Sequence, residues 1–168
     1  MEGKAICPDC QGEFDYMDGP VHEYMGGSAG CWHTYGNILK KEYSDPRFMA
    51  FHRLTVDAYA AQHPGKPGPR AAQSVEIHLM ALYLLLERNA DKDFVVRALG
   101  RAVERRQHQF SWWEPPSSLG EITVAHVVLA QTPEEHGHIV REWAMSVWKA
   151  WHQYRTQIQA LADDIEPP

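Results

Sequence analysis

The sequence predicts a mainly α fold, a bundle of about five to six helices carrying an N-terminal zinc-knuckle loop. Three observations predict it. Apolar residues recur at spacings of three and four over most of the chain after residue 28. The first 27 residues lack that periodicity and are rich in Gly, Asp and Pro. All three cysteines fall into one pattern with a histidine, Cys7-x2-Cys10, His22, Cys31. A chain of 168 residues is long enough for one domain with a real core. The expected arrangement is a single domain over 1–168, with the knuckle 1–31 packed on the bundle 28–162.

The elements follow in order. Residues 1–27 read as a metal-type knuckle with room for one small hairpin. Ser28 is placed to cap a helix reaching Tyr43, with Cys31 in its first turn, where a helix N-terminus favours thiolate. Asp45-Pro46 is a cap followed by proline at the first helical position, opening a helix over 46–62. The breakers of HPGKPGPR end it. A helix over 71–88 follows, apolar on nearly every side through VEIHLMALYLLLE, and belongs at the centre of the bundle. Residues 91–107 make a helix with one charged face. SWWEPPSSLG (111–120) is a loop, more in keeping with a lid over the core than with a ligand cleft. Thr123 is placed to cap a short helix 124–130, although VAHVVLA also fits a strand. Thr132-Pro133 opens a last helix reaching Ala162, with His136, Val140, Trp143, Val147, Ala150 and Tyr154 inward.

Cys7, Cys10, His22 and Cys31 make a complete tetrahedral Cys3His donor set for a structural zinc ion. The full shell leaves no position for a substrate, and a weakly apolar loop of this length gains from an ion what it cannot gain from a core. His33 is the rival fourth ligand, but two residues past Cys31 it points to another side of the helix. A redox reading of CPxC lacks the strand-to-helix setting such motifs use. Three unconnected buried thiols are the plainer alternative.

A second constellation lies in the bundle. His52, Val56, Tyr59 and His63 share one helix face, His78 sits in the apolar helix, and His136 faces inward. With Asp57 nearby, His52, His63, His78 and His136 are candidates for a pocket doing metal-assisted or general acid–base chemistry. Glu114 is a candidate loop carboxylate. The plainer reading of each histidine is a hydrogen-bonded core residue, since no HExxH-type spacing supports the other. At least two of Trp143, Trp148 and Trp151 belong to the core on their helical spacing.

The net charge of −6 argues against a nucleic-acid partner. No apolar run reaches the roughly 18 residues of a membrane span, and MEGKAICPDC has no signal-type apolar segment. A reducing cytoplasm is therefore expected, where paired thiols bind metal more often than they form disulfides. The expected partner is a small molecule or a protein. A homodimer through a tryptophan-rich face stays open.

The strings CPDC, DGPVHEYMGGSAGCWHTYG, HRLTVDAYAAQHPG, EPPSSLGEITVAHVV and REWAMSVWKAW together resemble a family of uncharacterised bacterial proteins, a domain of unknown function. The resemblance covers nearly the whole chain. It implies bacterial origin and one shared domain, and it carries no activity. Its pattern includes Cys7, Cys10, His22, Cys31, the HRLTVDAYxxQHPG block and His136, and it favours His22 over His33 as ligand.

Overall fold

The computed structural model describes residues 3–106 and 109–165. The chain opens with a hairpin of β1 (Lys4–Ile6) and β2 (Glu13–Asp15), antiparallel, with Ile6 opposite Glu13. The CPDC turn sits at its tip. Gln11 takes a left-handed φ of 59°, and Cys7 N donates to Gly12 O at 2.8 Å, closing the turn.

The helices are α1 (Ala29–Ser44), α2 (Pro46–Met49), α3 (His52–Gln62), α4 (Pro69–Leu86), α5 (Lys92–Arg105), α6 (Val124–Val127), α7 (Pro133–Ala150) and α8 (Arg155–Ile165). A 3-10 turn, His152–Tyr154, joins the last two. Ser28, Asp45, Thr123 and Thr132 cap α1, α2, α6 and α7 through their side chains. VAHVVLA begins as helix, not strand, because the Thr123 cap starts one there.

The helix number among the described residues exceeds the expected five to six, because two long helices are broken. The 46–62 helix divides at Ala50–Phe51, where Phe51 N bonds back to Phe48 O, a tighter three-residue step. The Phe51 ring lies over Gly137 of α7, where a Cβ would collide with it. The 133–162 helix divides at Trp151, whose indole N–H donates to Ala61 O at 2.9 Å. The expected end of the 91–107 helix, residue 107, lies outside the described residues.

Helix α4 occupies the centre, with α3, α5 and α8 packed on it, and α7 packs on α3. Leu79, Met80, Ala81 and Leu82 of α4 are buried together with Trp143, Trp148 and Trp151. Loop 109–123 covers the core as a lid. Ser111 N donates to buried Glu76 at 3.0 Å, and Trp113 stacks on Tyr154 with ring centres 5.0 Å apart. Burial pushes the Glu76 carboxyl above its ordinary range, against the bonds from Ser111 and Arg106. Glu114 lies exposed on this loop. Among the described residues no helix is long and apolar enough to cross a membrane.

Candidate metal centre

Cys7 and Cys10 come from the hairpin tip, Cys31 from the first turn of α1, and His63 from the residue that ends α3. Their donor atoms all lie within 4.8 Å of one another, and all four residues are buried. Cys10 Sγ is 4.0 Å from Cys31 Sγ, and Cys31 Sγ is 3.3 Å from His63 Nε2. A tetrahedron built on bonds of about 2.3 Å to sulfur and about 2.0 Å to nitrogen has edges of about 3.5–3.8 Å. The cluster therefore has the size that one metal ion requires.

The imidazole is prepared for that role. His63 Nδ1 lies 2.8 Å from Tyr59 O, so it carries the proton and donates to the carbonyl. Nε2 is left with its lone pair facing the thiols, the usual outer support of a metal-bound histidine. The ring is clamped as well, stacked on Tyr59 at 4.0 Å, which stacks in turn on Tyr35 at 3.8 Å. The Tyr59 hydroxyl is 3.6 Å from Cys31 Sγ and can donate to it.

The three thiols hold their protons unequally. Bonds from Cys10 and Cys31 stabilise the Cys7 thiolate and hold that group far below the ordinary thiol range, with His63 helping against burial. Cys10 is pushed up to about 12: its bond with Cys31 works the other way, and the Cys7 thiolate and burial outweigh it. Cys31 is pushed up through its bonds to Cys10 and Cys7 and by burial. Three negative sulfurs cannot share this space unaided, and a cation among them removes that conflict.

His22, expected as the fourth ligand, stands elsewhere. Its Nδ1 accepts from Tyr24 N at 3.3 Å and Met25 N at 3.2 Å, and its ring sits edge-on to Tyr24 and Trp32. That lone pair is used to shape the 22–25 turn, and burial holds the ring below its ordinary pKa. His33 is exposed. The turn shaped by His22 still serves the cluster, because it delivers Gly26, whose carbonyl lies 3.7 Å from Cys7 Sγ. Asp9, inside the CPDC turn, accepts from Gly65 N at 2.7 Å and ties the knuckle to the turn after His63. Gly65 has φ +72°, and a Cβ there would collide with Tyr24 O. Burial raises the Asp9 carboxyl, partly offset by the Gly65 bond.

The four histidines expected in one pocket are divided among three partners. His63 joins the cysteines. His78 Nδ1 lies 2.7 Å from Asp57 Oδ1, and Asp57 also receives both prongs of Arg53. His52 Nδ1 and His136 Nε2 meet opposite oxygens of Glu42, at 2.7 and 2.8 Å, and Thr55 Oγ1 donates to the same carboxylate. Glu42 and Asp57 are fully buried, so each needs such partners to stay in the core. A metal-assisted site built on all four rings has no geometric support here. Asp57 fixes the ring of His78 through that bond. The importance of Glu42 escaped the sequence reading, because nothing in its local spacing marks a buried carboxylate.

No curated protein and no solved structure gives a significant match to the chain. A family model does match, over residues 5–152, a span that contains all four cluster residues and the buried carboxylates Glu42, Asp57 and Glu76. The chain belongs to that family, the family of unknown function DUF5946.

Proposed function

We propose that Cys7, Cys10, Cys31 and His63 hold one structural zinc ion, and that the domain works as a binding or regulatory protein whose partner is a small molecule or a protein. The observation that carries the metal reading is the preparation of His63, with Nδ1 committed to Tyr59 O and Nε2 aimed at three sulfurs. Three sulfurs and one imidazole nitrogen are a zinc-type set, softer than the oxygen shells of magnesium or calcium. Cys7 and Cys31 are 0% exposed and His63 is 1% exposed, so the ion would have no open face for a substrate. Its work would be to fasten the hairpin and the 22–26 turn to α1 and the end of α3. The three unbridged cysteines suit a reducing compartment such as the cytoplasm.

The test is metal analysis of purified protein and variants. The wild type should carry about one zinc per chain. Cys10→Ser and His63→Ala should lose it, and His22→Ala should keep it. Retention of zinc by His63→Ala with loss from His22→Ala would overturn the ligand set. A wild type purified without metal, with residues 3–27 as protected from hydrogen exchange as the bundle, would overturn the metal itself.

A further inference from the structure

A cavity of about 430 Å³ opens beside the outer face of α4, lined by Tyr24, Arg70, Gln73, Ser74, Ile77 and His78. Its volume lies within the range of small-molecule sites. The histidine on its wall is held in one orientation. His78 Nδ1 bonds to the fully buried Asp57, and Arg53 balances that carboxylate's charge. Arg53 Nη2 also lies 3.5 Å from Nδ1, but the Asp57 oxygen is much nearer at 2.7 Å and an ionised carboxylate only accepts, so Nδ1 bears the proton and Nε2 bears the lone pair. The side chain is 17% exposed, and Nε2 has no partner among the described residues. One turn earlier on the same helix face, Ser74 Oγ is buried on the cavity wall without a hydrogen-bond partner. Gln73 and Arg70 bring N–H donors to the rim, and Arg70 makes an exposed pair with Glu23 at 2.6 Å.

An oriented base, an unsatisfied hydroxyl and rim donors around one cavity form a hydrolytic constellation. We infer that this cavity is a metal-independent hydrolytic site for small carboxylic esters, with His78 as general base and Asp57 as its positioning residue. In the step, Nε2 takes a proton from a water molecule as its oxygen bonds to the ester carbonyl carbon. The carbonyl oxygen gains negative charge and is met by the Gln73 amide and the Arg70 guanidinium. Collapse breaks the bond from carbon to the alcohol oxygen, and the imidazolium returns its proton to the departing alkoxide. The products are a carboxylic acid and an alcohol. Ser74 Oγ holds the ligand by a hydrogen bond. This inference goes beyond the binding or regulatory reading: it adds a catalytic site on α4, separate from the metal centre.

The experiment uses the full chain with p-nitrophenyl acetate as probe, and metal content is measured on every sample. The wild type should hydrolyse the probe faster than free imidazole at equal histidine concentration. His78→Ala and His78→Gln should each lower kcat/KM by about 100-fold, the scale of general-base catalysis, with metal content unchanged. Asp57→Asn should lower kcat more than it raises KM and should shift the pH profile. Nitrogen-15 spectra of the wild type should show the His78 lone pair on Nε2. A rate no better than imidazole, full activity in both His78 variants, or a lone pair on Nδ1 would each overturn the assignment. Zinc-replete wild type without turnover would sink this inference and leave the metal reading standing. A metal-free protein that still turns over through His78 would do the reverse.

Discussion

His63 shows how much a single side chain can settle. Its Nδ1–H bond to Tyr59 O fixes the tautomer, and the stack on Tyr59 fixes the plane, so Nε2 meets the sulfurs with little freedom left to lose. His63→Ala should therefore remove the metal. His22→Ala should keep it and cost about 0.5–1.5 kcal/mol through the loss of its turn bonds; metal analysis and urea unfolding measure the two effects. Glu42 is the second decisive residue. Glu42→Ala would strand His136, His52 and Thr55 in or near the core. It should destabilise the fold by about 3–5 kcal/mol, read from urea midpoints at constant metal content. The three sulfur donors were legible because CPxC and a helix-start cysteine are local patterns. His63 lies 32 residues beyond Cys31, and only the packing of α3 against the knuckle brings it in. Sequence spacing could see its face of the helix and not its destination.

Helix starts were the most legible elements. A cap chooses its helix from side-chain chemistry within a few residues, and Ser28, Asp45, Thr123 and Thr132 all do so. Thr132→Ala should cost about 1 kcal/mol, because it removes one half of the capping box with Glu135; thermal or urea unfolding would show it. Helix breaks were not legible, because their causes are tertiary. The break at Phe51 accompanies a ring packed against Gly137 on a different helix. Gly137→Ala should push that ring out of place and cost about 1–3 kcal/mol, seen as a lowered unfolding midpoint with helical content retained. The break at Trp151 accompanies an indole bond to α3 that no local pattern announces.

At the scale of the molecule, one buried cluster runs from Cys7 to Ile165, so the knuckle and the bundle share a core. Their dependence on the ion differs. The bundle has its own apolar interior around α4, whereas the hairpin has Phe14 and the cysteines. Chelation should open residues 3–27 and the turn around Gly65 to hydrogen exchange, while α4, α5 and α7 keep their protection. Zinc supplies on the order of 10 kcal/mol in small zinc-folded peptides, enough to order a segment with so little core of its own. The broad plan of knuckle and bundle was readable from periodicity and cysteine spacing. The pairing of buried carboxylates with separate histidines was not, since each pair joins residues on different helices.

X-ray absorption at the zinc edge of the purified wild-type protein reads the ligand shell itself. It should show three sulfur neighbours at about 2.3 Å and one nitrogen at about 2.0 Å, with that nitrogen lost in His63→Ala. An absent edge, or a shell of mixed oxygen and nitrogen ligands unaffected by His63→Ala, would contradict the proposed site.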